Sequence, residues 1–270
     1  MVTANTLKEP ISMKFTLLIC LLANATLLMA QQTDSLPPHV YRWDSLVEKK
    51  HNGLTTRSII EGSTSSLSWF EVTAITLEPG KASPALNVHD GIEVLFIIKE
   101  GQVNITEYGI NKVMGAGSIA FAMTGTVHGI SNAGNTNATY YVLKYKGKLP
   151  IDIDRTKRAG GSFMLDWNDL KTSNTGKGYR RDFFNRPTSH LAQFEMHTTA
   201  LNAGEESHPP HMHVQEEIIL VLRGKVEMYI DGDRYKASVG DVIFLPSRIP
   251  HALTNIGEEQ CEYFAFQWRI

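Results

Sequence analysis

The stretch that decides the fold reads GEESHPPHMHVQEEIILVLRG from residue 204 to 224, KVEMYIDGDRYKASV from 225 to 239 and GDVIFLPSRIPHALTN from 240 to 255. Residues two apart on a strand share a face, so His211 and His213 point the same way. Glu217 has the same parity, but in an unbroken strand it would lie about 20 Å from His211 at roughly 3.3 Å per residue. A bend near Val214, Gln215 and Glu216 is therefore required if the three are to meet. From Glu217 the pattern is a meander: an apolar run to Gly224, a strand through Ile230, a tight turn at Asp231 and Gly232, and a return strand toward Gly240. Asp241 to Leu245 is strand-like again until Pro246 and Pro250 break it, and antiparallel pairing of this kind brings His251 back to the other three. Three imidazoles and one carboxylate suit a first-row transition metal far better than magnesium or calcium.

The spacing of Gly204, His211, His213, Glu217 and Gly224 resembles the first motif of the cupin superfamily, with one residue more than usual between the first glycine and the histidine pair. Gly240, Pro246, His251 and Asn255 resemble its second motif, with Arg248 where the family usually has glycine. The run Pro209-Pro210-His211-Met212-His213 is similar to the germin-like version. Local runs also resemble the (S)-ureidoglycine aminohydrolases: Gly91, Ile92 and Glu93 before an apolar strand, and His213 to Glu216. That family uses glutamate, histidine, histidine and glutamine where this chain has His211, His213, Glu217 and His251. The resemblance implies small β-barrels, a bound metal in the second of them, and further assembly into a homo-oligomer by strand exchange.

Sliding the second half over the first exposes a duplication. Leu77, Gly80, His89 and Glu93 fall on Leu201, Gly204, His213 and Glu217 at an offset of 124. Gly101, Gly109, Gly117, His128 and Asn132 fall on Gly224, Gly232, Gly240, His251 and Asn255 at 123. Each copy holds several short strands punctuated by glycine turns, which predicts an all-β chain of two tandem jelly-roll barrels, a bicupin. The reading by segment is a signal peptide over 1–30, an N-terminal barrel over 31–150, a linker over 151–190 and a C-terminal barrel over 191–270. The N-terminal copy has Asn87 at the first ligand position, so Asn87, His89, Glu93 and His128 make a weak second metal site or a hydrogen-bonded relic of one. The basic residues of the linker, Arg155, Lys157, Arg158, Lys177, Arg180, Arg181 and Arg186, either form an anion-binding surface or belong to a connector whose Phe163, Leu165 and Trp167 dock on a barrel.

Of the 270 residues, 42% are hydrophobic and 20% charged, with a net charge of -2, a balance that excludes nucleic acid as the expected partner. Residues 14–30, KFTLLICLLANATLLMA, read as a secretory leader, a lysine followed by an apolar run that is interrupted and short for a membrane span, with an uncleaved anchor as the alternative. The expectation is a secreted or periplasmic protein with no membrane association once the leader is removed. Cys261 is then the only cysteine left, so no intramolecular disulfide forms and the fold rests on its core.

The expected cofactor is one divalent transition metal, manganese, iron, nickel or zinc, at His211, His213, Glu217 and His251. The expected partner is a small polar substrate bearing a carboxylate or carbonyl. Hydrolase, isomerase and oxygenase chemistry stay open, as does a non-catalytic bicupin that binds a sugar or small molecule. Arg248, three residues before His251, is a candidate clamp for a substrate carboxylate, or else a surface ion-pairing residue. His208 is a supporting group, a substrate contact or a surface residue. Glu216 should point away from the metal as a solvated or interface carboxylate, and Phe264, Phe266 and Trp268 are expected to face the barrel interior.

Overall fold

Strand β15 (Glu216–Arg223) is buried along most of its length, and its two faces serve different cores. Glu217, Ile219 and Val221 point into a barrel, whereas Ile218 and Leu220 point into a core shared with the other half of the chain. A strand covered on both sides reads as a continuous apolar run and not as an alternation, which is what EEIILVLR does. The same division holds for Glu93–Glu100 in the first copy, where Val94, Phe96 and Ile98 face one core and Leu95 and Ile97 the shared one.

This computed structural model describes residue 1, residues 35–83 and residues 88–270. The leader read over 1–30 therefore lies outside the described residues apart from Met1, and Asn87 lies outside them too. Residues 35–270 form one unit. Its strands in order are β1 (His39–Tyr41), β2 (Glu48–His51), β3 (Leu54–Gly62), β4 (Leu67–Leu77), β5 (Glu93–Glu100), β6 (Gln102–Glu107), β7 (Ile110–Gly115), β8 (Ile119–Ala122), β9 (His128–Asn132) and β10 (Ala138–Gly147). After helix α1 (Ile153–Arg158) come β11 (Phe163–Leu165), β12 (Thr172–Asn174), β13 (Gly178–Arg186), β14 (Gln193–Leu201), then β15, β16 (Lys225–Ile230), β17 (Asp233–Ser238), β18 (Val242–Leu245), β19 (His251–Asn255) and β20 (Cys261–Arg269).

These strands build two tandem barrels, each from a seven-stranded and a three-stranded sheet. The first has the orders β11-β8-β5-β10-β4-β3-β2 and β7-β6-β9, the second β1-β18-β15-β20-β14-β13-β12 and β17-β16-β19. The halves exchange edge strands. β1, from the start of the described chain, pairs with β18 of the second barrel, and β11 pairs with β8 of the first. Each barrel thus has one edge closed by a strand belonging to the other repeat, which removes an exposed pairing edge and ties the halves together.

The large sheets pack against each other through an apolar core in which Phe70 of the first meets Trp268 of the second, with ring centroids 5.4 Å apart. Phe264, Phe266 and Trp268 all lie in that shared core and not in the barrel interior, because on β20 the interior parity belongs to Cys261, Tyr263 and Ala265. Trp167 packs where a side chain on Gly117 would stand, 2.3 Å from an ideal Cβ, so this residue, with φ of +83°, must be glycine on two counts. The span read as a linker over 151–190 is not a connector throughout, since β11 belongs to the first barrel's sheet and β12 and β13 to the second's. Its cations are largely engaged in the fold: Arg181 stacks on Trp167 at 3.7 Å, and Arg155 donates to the Thr188 carbonyl at 2.7 Å. No helix among the described residues is long and apolar enough to cross a membrane.

Candidate metal centre

The loop before β15 carries His211 and His213, and it is zipped to the turn between β18 and β19. His211 and His251 form a backbone bridge, with amide-to-carbonyl distances of 3.1 and 2.9 Å in the two directions. The Arg248 amide donates to the His213 carbonyl at 2.7 Å, and Ser247 Oγ donates to the Val214 carbonyl at 2.7 Å. The chain bends at Val214 and Gln215 and enters β15 at Glu216, so Glu217 comes under the two histidines. The Asp231-Gly232 turn, with φ of 47° and 102°, returns the chain through β17 so that β19 can place His251 beside them.

The side-chain nitrogens of His211, His213 and His251 lie within 4.8 Å of one another. Glu217 Oε2 is 3.2 Å from both His213 Nε2 and His251 Nε2. The hydrogen bonding around these rings decides what they offer. His213 Nδ1 is 3.0 Å from the Gln215 carbonyl and His251 Nδ1 is 2.8 Å from the Ile249 carbonyl. A carbonyl only accepts, so Nδ1 carries the proton in each ring and Nε2 is left as a lone pair. Two lone pairs and a carboxylate oxygen then converge on one point, an arrangement that a bound cation, or a proton shared with Glu217, stabilises. His251 Nε2 is buried there without a hydrogen-bond partner. The four residues are therefore a donor set that could hold a transition-metal ion.

The electrostatics follow from the same geometry. Burial pushes Glu217 upward, but the two neighbouring imidazoles, His213 foremost, hold it down to about 2. Without a metal, the hydrogen bond to Glu217 raises His213 above its ordinary value despite burial. His211 is lowered, first by burial and then by its imidazole neighbours, chiefly His208. The His208 ring packs edge-on against His211 with centroids 3.9 Å apart, at the wall of the site.

The cluster opens into a cavity of about 440 Å³ inside the second barrel. Its far wall comes from β13, β14 and β20 and includes Arg180, His197, Thr199, Tyr263 and Gln267. Sequence reasoning did not single out the last four as a wall. Their signal is the alternation of His197, Thr199 and Leu201 on one strand and of Tyr263, Ala265 and Gln267 on another, which becomes informative only once the pairing β13-β14-β20-β15 is known. Arg180 is held by Glu195 at 2.9 Å and Asp182 at 2.6 Å, and His197 Nδ1 lies 3.5 Å from Glu195 Oε1. His197 and Arg180 together outweigh burial and keep Glu195 below the usual carboxylate range.

Arg248 is exposed and is not among the residues lining this cavity; its backbone has φ of 64°, the left-handed conformation that favours the glycine usual in the family. Glu216 faces away from the histidines into the junction between the barrels. It accepts from Thr64 Oγ1 at 2.8 Å, Ser65 N at 2.9 Å and Trp268 Nε1 at 3.0 Å, and from both Ser66 donors.

In the first barrel His89 and His128 come together, with ring centroids 5.4 Å apart. Glu93 does not join them. It accepts from Ser189 N at 2.8 Å and Thr156 Oγ1 at 3.2 Å, across the junction. Glu93 is therefore the counterpart of Glu216, and Val94, which pairs with Ala122 as Glu217 pairs with Leu245, is the counterpart of Glu217. The one-residue slippage between the copies lies between His89 and Val94, not after Glu93, because strand parity fixes which of two adjacent side chains faces the barrel.

A family model described as the cupin domain matches residues 74–144 and again 197–266. An uncharacterised protein of Methanocaldococcus jannaschii is 38% identical over 48 residues, a stretch that spans 17% of this chain and 38% of that protein. Among solved structures, Ylba of E. coli superposes with a TM-score of 0.67 at 16% identity, covering 90% of this chain and 96% of that one. The oxalate decarboxylase of Lactobacillus farciminis, in a formate complex, gives a TM-score of 0.65 at 14% identity, covering 87% of each chain. At such identities the likeness is one of fold.

Proposed function

The chain belongs to the cupin family, and from that premise we propose that its second barrel is a metal-dependent active site for a small polar metabolite bearing a carboxylate or carbonyl. The observation that carries the reading is the convergence of the His213 and His251 lone pairs on Glu217 Oε2, each at 3.2 Å, with His211 beside them. His211, His213, Glu217 and His251 would hold one divalent manganese, iron, nickel or zinc ion. Bound there, the ion supplies Lewis acidity toward a carbonyl or carboxylate oxygen, or activates a bound water.

The protein's own groups select and orient the substrate. The cavity of about 440 Å³ lies in the range for a small metabolite. Arg180, fixed by Glu195 and Asp182, presents its charge without rotamer freedom. His197 stands on the cavity wall with Nδ1 3.5 Å from Glu195 Oε1. The burial of His251 and Glu217 limits access of bulk water to the reacting end.

Metal content of natively expressed protein, measured beside His211→Ala, tests the site, with about one ion per chain expected in the first and a large loss in the second. A screen of small acids and carbonyl compounds with loaded and metal-stripped protein tests catalysis. Binding of such a compound without turnover would move the assignment to a metal-containing binding protein. The assignment of the chain to the periplasm or exterior is proposed on residues 14–30 alone, and the N-terminal sequence of the natively expressed protein checks it.

A further inference from the structure

The first barrel carries a lysine where the second has a glutamine beside Glu217. Across the second barrel's sheet, one inward-facing row runs Glu195, Gln267, Glu217. The matching row of the first barrel runs Glu71, Lys144, Val94. The ligand carboxylate has become valine and the neutral glutamine has become lysine, so the same place in the barrel has lost a negative charge and gained a positive one. Lys144 Nζ is paired with Glu71 Oε1 at 3.0 Å, which uses one of its three donors and leaves two for a ligand.

Around this row lies a second cavity, of about 300 Å³. Glu71, His89, His128 and Lys144 line its polar side, and Phe96, Ile130 and Val142 line its apolar side. His128 Nδ1 donates to the Thr126 carbonyl at 2.9 Å, which fixes that ring. Among the described residues the His89 ring makes no hydrogen bond, so it can turn an N–H toward an incoming anion. Burial, ahead of other causes, lowers both imidazoles, which favours their neutral forms. With Val94 in place of a carboxylate, a divalent ion would meet, among the described residues, two imidazoles, an ammonium and a Glu71 carboxylate already paired with that ammonium, a poor site by charge and donor count.

The geometry points to the first barrel as a metal-independent binding site for a small carboxylic acid with an apolar body, its carboxylate on Lys144 and His89 and its body against Phe96, Ile130 and Val142. Such a ligand matches the cavity on both counts: one anionic end for the ammonium, and a hydrocarbon face for the remaining wall. The site is distinct from the histidine cluster of the second barrel and does not depend on its occupancy.

Calorimetric titration of the full-length, chelator-treated protein with benzoate tests this, with benzyl alcohol as the neutral comparison. Saturable binding of one benzoate per chain is expected, weaker by at least tenfold for benzyl alcohol and for Lys144→Met. Binding should stay within a few-fold of the parent in Lys144→Arg, which keeps the charge, and in His211→Ala, which removes a ligand from the other barrel. Should Lys144→Met fail to fold, the benzoate-to-benzyl alcohol ratio and the Lys144→Arg variant carry the test. Absence of saturable binding, equal affinity for the acid and the alcohol, undiminished binding by folded Lys144→Met, or loss of binding in His211→Ala would each overturn the proposal.

Discussion

Glu216 and Glu217 are adjacent in the chain and buried on opposite faces of one strand, the first bonded to Thr64, Ser65, Ser66 and Trp268 at the barrel junction, the second 3.2 Å from His213 and His251. One carboxylate joins the two halves and the other stands against the histidine cluster that could hold a metal. Their substitutions should therefore fail in different ways.

Glu217→Gln keeps the volume and removes the anion. It should lower metal affinity by at least the roughly 10- to 100-fold typical of losing even a supporting partner of a metal ligand, while the chain stays folded. Metal per chain after gel filtration, with an unchanged circular dichroism spectrum, checks this. Full retention of the metal would remove Glu217 from the donor set.

Glu216→Ala leaves Ser65 N and Ser66 N buried or half-buried without their acceptor, and Trp268 Nε1 with Ser66 Oγ alone. The cost should be about 3–5 kcal/mol, the range for opening a buried charged network, and Glu216→Gln should cost less. Denaturant unfolding measures both, and metal binding by the fraction still folded should match the parent.

Burial pushes Glu107, on β6 in the first barrel, up to about 8, and its Oε1 has no partner. The sign follows from proton counting. Between the ordinary value of 4.5 and about 8 the folded state holds a proton that the unfolded state has released, so stability falls as pH rises through that window and levels off above it. Glu107→Gln should flatten this slope and stabilise the protein at pH 8 to 9 by on the order of 2–4 kcal/mol. Melting temperatures of parent and variant from pH 4 to 9 should converge at the acid end and separate at the alkaline end; a constant difference would contradict the assignment.

Arg248 holds a left-handed backbone, with φ of 64°, and donates its amide to His213. Arg248→Gly removes the steric strain of the side chain and keeps that amide. A gain of up to about 1 kcal/mol is expected, with metal content unchanged. If the variant instead weakens binding of every accepted acid, the guanidinium reaches the substrate after all.

Much of this protein is decided by local chemistry that a sequence displays. The glycine turns, the alternation around His211 and His213, and the recurrence of the same marks 123 and 124 residues apart are enough for two tandem β-barrels and for naming four candidate ligands in the second. These are short-range signals, fixed by the period of a strand and the backbone freedom of glycine. What adjacent carboxylates do is not such a signal. Glu93 follows Gly91 and Ile92 as a ligand would, yet the pairing of Val94 with Ala122 turns it out of the barrel and leaves valine in its place. Which side chain of a doubly buried strand faces which core depends on register, and register is set by partner strands far away in the chain. The exchange of β1 and β11 between the halves, the burial of Glu216 at their junction and the lysine-bearing cavity of the first barrel are all decided at that level. The pattern around residues 204–255 names four candidate ligands, and only the folded sheets show that its twin has valine in place of the glutamate and lysine in place of the neighbouring glutamine.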